Sequence, residues 1–143
     1  MNKDFDEWNQ KKKKLHEIDF TGYVKEREVW WCAVGINIGV EADGKHSDFE
    51  RPVLVVRKFS KDAVLIVPVT TKVKKNPYHF SYVHNGRGFA LVISQVRLIS
   101  TKRLLRKIYR MDDKIFQSLI TELASLINKR PPQEWGPRRT NVH

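Results

Sequence analysis

Between residues 28 and 110 the chain is a succession of short apolar, β-favouring segments, each closed by a glycine, a proline or a polar turn. This pattern constrains the fold more than any other feature of the sequence. Val29 to Val34, Pro52 to Phe59, Ala63 to Thr70, Tyr78 to Val83 and Phe89 to Ile99 are rich in Val, Ile, Phe, Tyr or Trp, side chains that suit a pleated, half-buried surface. Ser60-Lys61-Asp62 suits a hairpin, and Asn85-Gly86 is the pair favoured where a two-residue turn needs positive φ. Short strands at this spacing curl as they pair, so the expected class is α+β, mainly β, with a barrel or strongly curled sheet. Phe89 to Ile99 reads as one nearly unbroken strand, Ser100 as the cap of a brief helical turn through Leu105, and Ile108-Tyr109 as one more short strand.

Helical periodicity flanks the strands. Asp4 and Glu7 have the spacing of an N-cap with a reciprocating acid, and Phe5, Trp8, Leu15 and Ile18 recur near helical spacing, which predicts an amphipathic helix over 4–17. Its Lys11 to Lys14 run is offset by the segment's own acids and reads as a solvated face. Near the other end, Asp112 or Asp113 can cap a helix. Ile115, Phe116, Leu119, Ile120, Leu123, Leu126 and Ile127 share one face of it, which must pack on the sheet or on a second subunit. Pro131, Pro132, Gly136 and Pro137 cannot continue it. The expected organisation is a helical extension over 1–20, one barrel domain over 21–129 and a flexible tail over 130–143.

With 143 residues and 41% apolar side chains, one folding unit with its own core is expected. Its charge is unevenly placed: residues 1–20 are neutral, 21–51 sum to −2, and 52–111 hold thirteen basic side chains against Asp62 alone, or +12 of the overall +11. A basic surface confined to the sheet-forming section suits a polyanion, nucleic acid first. The single Cys32 excludes an intramolecular disulfide and reads as a buried, inert thiol. No segment approaches the roughly 20 apolar residues of a membrane span, and none has signal-peptide character, so a cytoplasmic protein is expected. One cysteine and five scattered histidines give no zinc signature, Gly86-Arg87-Gly88 lacks the rest of a phosphate loop, and no Gly-x-Ser-x-Gly element is present. No metal and no cofactor are expected.

The chemistry-bearing residues left are in Glu50-Arg51-Pro52-Val53-Leu54-Val55-Val56 and Val67-Pro68-Val69-Thr70-Thr71-Lys72. Where a loop meets one strand and the next strand ends in hydroxyls, Arg51 and Thr70 would share one end of adjacent strands. A guanidinium offers paired donors to phosphate oxygens and stabilises charge developing on a phosphorane, and a threonine hydroxyl can fix the scissile phosphate. Read only as structure, Arg51 makes a surface ion pair and the threonines suit a strand end.

Val29-Trp30-Trp31, the loop with Glu41-Ala42-Asp43-Gly44, the Arg-Pro-Val-Leu-Val run from Arg51, the Pro-x-Thr-Thr element from Pro68, Ser94-Gln95-Val96-Arg97-Leu98-Ile99, Lys102-Arg103-Leu104 and Lys107-Ile108 follow in an order that resembles the MazF/PemK family of toxin ribonucleases. The resemblance runs over about 27–128. It implies a small SH3-like barrel of the CcdB/MazF type with a C-terminal helix, here with an added N-terminal helix. It also implies a homodimer and cleavage of single-stranded mRNA at short sequence motifs. Arg51 and Thr70 correspond to the family's catalytic pair, and Thr71, Ser94, Gln95 and Gly44 to substrate-binding positions. The chain departs from the family in its first 20 residues, in its tail and in a longer, more acidic loop. Glu41, Asp43, Asp48 and Glu50 would repel RNA unless they pair with basic groups or move aside, which suggests a gating loop.

Single-stranded RNA carries its own nucleophile, the 2′-hydroxyl, so the protein's task is largely electrostatic and the expected ends are a 2′,3′-cyclic phosphate and a 5′-hydroxyl. Lys72, Lys74 and Lys75 would track neighbouring phosphates. Tyr78, Phe80 and Tyr82 share one strand face and serve either as barrel core or as a stacking platform. His79 and His84 form a rival acid–base pair. The alternative from another class is a non-catalytic toxin or nucleic-acid-binding module of the same fold, as in relatives that poison DNA gyrase. An acidic antitoxin protein, disordered until bound, is the partner the resemblance implies.

Overall fold

A computed structural model describes residues 3–45 and 49–129; the expected tail over 130–143 and Asp48 of the loop lie outside the described residues. Helix α1 (Phe5–Glu17) is followed by seven strands, β1 (Glu28–Ala33), β2 (Glu50–Lys58), β3 (Ala63–Thr70), β4 (His79–His84), β5 (Arg87–Val92), β6 (Arg97–Ser100) and β7 (Leu104–Arg110), and by helix α2 (Asp113–Asn128). All pairings are antiparallel, in the order β4-β5-β3-β2-β1-β7, and β6 also pairs with β3. The architecture is mainly β with a helix at each end, as expected for a small SH3-like barrel. The terminal strands β4 and β7 meet through side chains: the Tyr82 and Tyr109 hydroxyls are 2.6 Å apart, and the His84 ring stacks on Tyr109 at 3.7 Å between centroids.

Both faces of β2 and β3 are buried, which explains their continuous Val/Leu/Ile runs. Val53, Val55, Val64 and Ile66 pack with Trp30, Cys32, Val34, Ile99 and Leu104 in one core. Leu54, Val56, Val67 and Val69 pack with Phe116, Leu119 and Leu123 of α2 in a second. Asp112 caps α2 by accepting from Lys114 N and Ile115 N. Of the face expected from periodicity, Ile127 is an exception at 74% exposure, one residue before α2 ends, while Leu126 beside it still packs on the core. Burial pushes the Cys32 thiol up to about 12, which leaves it inert.

Three expectations need correction; the brief helical turn capped by Ser100 ends at Arg103, and Leu104 and Leu105 already belong to β7. Phe89 to Ile99 is two strands separated by a 3-10 turn over Ile93–Gln95. The ladders of β5 and β6 along β3 are three residues out of register, which is the length of that turn. An apolar run cannot reveal such a break, because Ile93 is buried in either conformation. The expected short strand at Ile108-Tyr109 is the end of the seven-residue β7, whose charged Arg106 and Lys107 lie exposed beside β1 and mask its strand character.

Helix α1 begins at its Asp4 cap, which accepts from Glu7 N at 2.9 Å. It buries Trp8 and Leu15 against Ala33 and Phe49, forming a third, small core outside the barrel. The Trp8 ring lies directly over Gly35, whose φ of +80° and lack of a side chain allow the contact. At its other end the helix is tied by Lys102 Nζ, which donates to the His16 carbonyl at 2.7 Å. Lys12, Lys13 and Lys14 are exposed, as expected of a solvated face. Gly35→Ala combines a disfavoured backbone with a collision against the indole. It should cost about 2 kcal/mol in urea denaturation and accelerate trypsin cleavage at Lys12 to Lys14; unchanged cleavage would show that α1 does not depend on this contact.

Candidate active site

Antiparallel pairing fixes the central juxtaposition. Val53 lies opposite Pro68 where the β2–β3 ladder ends, and Arg51 and Thr70 each lie two residues beyond that pair, at the same end of the two strands. Both side chains line one cavity of about 180 Å³, together with Trp31, Lys45, Glu50, Pro52, Val69, Thr71 and Phe89. Arg51 is half-buried, and its Nε donates to the Asp43 carbonyl at 2.9 Å. Among the described residues its two terminal nitrogens have no hydrogen-bond partner. Burial lowers the guanidinium's proton affinity below that of an ordinary arginine, and nearby Asp43 acts in the opposite direction. Thr70 Oγ1 accepts from Lys72 N at 3.1 Å, and among the described residues the hydroxyl's own proton has no acceptor.

The acidic loop is neutralised where it meets this cavity. Arg106 holds Glu50 with two hydrogen bonds, of 3.2 and 3.0 Å, and its guanidinium lies 5.1 Å from the Trp31 ring centroid. Lys3 pairs with Asp43 at 3.0 Å. Glu41 closes a tight turn by accepting from Ile38 N. Of the two ways expected for the loop acids to tolerate a phosphate, pairing with basic groups is therefore the one seen for Asp43 and Glu50.

The other expected site residues divide. Thr71 joins Arg51 and Thr70 in the cavity. Lys72, Lys74 and Lys75 are exposed on the connection from β3 to β4, directly beyond the Thr70 end. Ser94 and Gln95 line a separate, larger cavity with Asn37, Glu41, Ala42, Ile66 and Arg97. Gln95 there accepts from Ala42 N and donates to the Val40 carbonyl, so its amide is engaged in holding the loop. Gly44 serves the backbone: its N–H donates to the Gly35 carbonyl at 2.7 Å, and a Cβ there would overlap the Phe49 carbonyl.

His79 and His84 do not line the Arg51 cavity. His79 Nδ1 is engaged with Asn76 at 2.8 Å and His84 with Tyr109. Tyr82 is core, stacked on Phe89. Lys45, Phe89 and Arg106 are the residues that sequence reasoning missed. Phe89 packs against the core beside the buried Ala90 and Leu91 of β5, and Arg106 reaches Glu50 across 56 positions, so neither had a local signal. Among the described residues no group of His, Cys, Asp and Glu could hold a metal ion, and no helix is long and apolar enough to cross a membrane.

A curled antiparallel sheet with a C-terminal helix, carrying a cationic, hydroxyl-bearing corner at adjacent strand ends, defines a small, mainly β barrel protein. Residues 25–127 match the model of the PemK-like, MazF-like toxins of type II toxin–antitoxin systems, and the chain belongs to that family. Its fold is similar to MazF from Deinococcus radiodurans, with a TM-score of 0.61 at 19% identity over 76% of this chain and 100% of that one. It is also similar to a mycobacterial endoribonuclease solved with its cognate antitoxin (0.58, 15%, 77% and 100%) and to the Mycobacterium tuberculosis toxin MazF-mt6 (0.54, 14%, 73% and 100%). No protein with a curated description matches it in sequence.

The Arg106–Glu50 pair gives a direct test of the site's charge balance. Arg106→Ala should weaken binding of a short single-stranded oligonucleotide about fivefold by exposing the carboxylate, and adding Glu50→Gln should recover most of the loss. Fluorescence anisotropy reads both, and no recovery in the double variant would mean that Arg106 itself contacts the ligand.

Proposed function

We propose that this protein is the toxin of a type II pair and acts as an endoribonuclease on single-stranded RNA in the cytoplasm. The observation that carries the reading is the Arg51–Thr70 corner: a guanidinium anchored through Nε, whose terminal nitrogens have no partner among the described residues, shares one cavity with the Thr70 hydroxyl. Paired donors aimed at one point are what a phosphorane dianion requires.

In this reading the scissile phosphate lies between Arg51 and Thr70. The RNA's 2′-hydroxyl attacks phosphorus in line and gives its proton to water, the P–O5′ bond breaks, and the 5′-oxygen takes a proton from water, giving a 2′,3′-cyclic phosphate and a 5′-hydroxyl. Arg51 stabilises the charge that grows on the equatorial oxygens, and Thr70 with Thr71 orients the phosphate. The nucleophile comes from the substrate, so the reaction needs no metal-bound water. Lys72, Lys74 and Lys75 follow the adjoining backbone, Ser94 faces a neighbouring nucleotide, and Gln95 reaches it by giving up its bonds to the loop. The working unit is a homodimer, and an acidic antitoxin segment complements the basic central section.

Purified protein incubated with defined RNA in excess chelator should yield 5′-hydroxyl ends. Arg51→Ala should reduce kcat about 10²–10³-fold, as for loss of a principal donor to a developing oxyanion. Thr70→Ala should lose less, while His79→Ala and His84→Ala should cleave as the parent does. Replacing Lys74 or Lys75 by Ala should lower the dependence of log affinity on log salt by about 0.7. Intact RNA at saturating protein would replace this reading with one of binding alone.

A further inference from the structure

The Arg51 corner is held in place from outside the barrel. Asp43 uses three oxygens at once: its carbonyl accepts from Arg51 Nε at 2.9 Å, Oδ1 accepts from Asn37 N at 2.6 Å, and Oδ2 meets Lys3 Nζ at 3.0 Å. The Lys3 ammonium has three N–H donors, and three loop oxygens surround it, because it also donates to the Asn37 carbonyl at 2.7 Å and the Gly39 carbonyl at 3.1 Å. Its side chain is only 17% exposed. The loop from Asn37 to Asp43 is thus closed around one cation supplied by a residue 34 to 40 positions earlier.

Lys3 has little freedom to leave. The N–H of Phe5 donates to its carbonyl, Asp4 caps α1 directly after it, and α1 is anchored by Trp8 and Leu15 in the small core with Phe49. Phe49 borders β2 one residue before Glu50, so the same core that seats α1 also seats the strand that carries Arg51. The family match begins at residue 25, and Lys3 and α1 lie outside it.

We propose that Lys3, presented by α1, is a positioning residue for Arg51: by closing the loop around its ammonium it fixes the Asp43 carbonyl and, through that carbonyl, the plane of the guanidinium. This rests on the proposed cleavage reaction for its consequence but not for its geometry. A guanidinium is planar and rigid, so fixing Nε in direction fixes where both terminal nitrogens point. Without Lys3, the Asp43 carboxylate would lose its counter-charge, the loop would gain freedom, and Arg51 would sample orientations away from the phosphate. The first residues would thereby govern a site almost fifty positions away without touching substrate.

The test uses the full chain, with side-chain arginine nitrogens labelled for NMR and the Arg51 Nε–H signal identified by its loss in Arg51→Lys. In Lys3→Ala the exchange of that proton with water should accelerate about tenfold, with the thermal midpoint close to that of the parent. Lys3→Arg, which keeps the charge and the donors, should restore slow exchange. On RNA, Lys3→Ala should lower kcat about tenfold with KM little changed, because orientation is lost rather than binding. Unchanged Nε–H exchange in Lys3→Ala would overturn the proposal. So would a change in exchange and kcat that merely tracks a fall in global stability. If the parent protein cleaves no RNA, the cleavage reading falls, while the exchange measurement, made without substrate, still decides the role of Lys3.

Discussion

The ladder between β2 and β3 is the contact on which the rest of the molecule depends. Strand β3 is interior along its whole length: β2 occupies one edge, and β5 and β6 share the other, β5 beside its C-terminal end and β6 beside its N-terminal end. Its side chains alternate between two cores, Val64 and Ile66 on one side and Val67 and Val69 on the other, with a matching alternation on β2. A slip of one residue would exchange both sets at once. The register is therefore fixed by apolar packing in the middle of the strands, and the placing of Arg51 and Thr70 at one shared end is inherited from it. The site can carry polar and charged residues at a solvent-facing strand end because none of them is needed to set the pairing.

Charge is the second constraint, and it explains how a cluster of acids can surround a site proposed here to take an anion. An uncompensated carboxylate a few ångströms from a phosphate would repel it by about 1 kcal/mol or more near a protein surface. Glu50, with 11% of its side chain exposed, is bound by Arg106, Asp43 is bound by Lys3, and the buried Glu28 is satisfied by Lys25 N, Trp30 Nε1 and Lys107. Part of the basic excess in the central section is consequently structural. Arg103, for example, donates to the carbonyls of Ala33 and Val34 and lies 5.7 Å from the Trp8 ring centroid. The lysines after Thr70 are exposed at the open end of the site, where a polyanion would first be met.

The strands, both helices and the Arg51–Thr70 corner were legible in the sequence because each has a local signal: a period, a turn pair, a cap, or hydroxyls at a strand end. Asn85 and Gly86, for instance, both have the positive φ that the dipeptide implied. What could not be read depends on distance along the chain or on sheet curvature. The turn over Ile93–Gln95 exists because β3 hands over from one neighbour to the next, a requirement of barrel curvature written nowhere in an apolar run. Gln95 has the composition of a substrate-binding residue and uses its amide on the loop. Lys3 sits two positions before a helix whose acids cancel its lysines, so charge counting set it aside, yet its ammonium is the centre around which the Asn37–Asp43 loop folds.

The hydrogen bonds at the corner bear on what Arg51 can do. Proton abstraction would require the guanidinium to lose a proton, and burial shifts it in that direction while Asp43 resists. The geometry fits a different task better. With Nε held by a backbone carbonyl, the guanidinium keeps its charge and presents its terminal donors in a fixed plane, and Thr70, accepting from Lys72 N, has its hydroxyl proton to offer into the same cavity. Donors oriented before a substrate arrives do not have to reorganise as charge grows on it, and this is where electrostatic stabilisation gains most over water. Under the proposed reaction RNA brings its own nucleophile, so the chain's contribution reduces to holding a few donors still, and the core, the loop and α1 each remove one freedom from the same side chain.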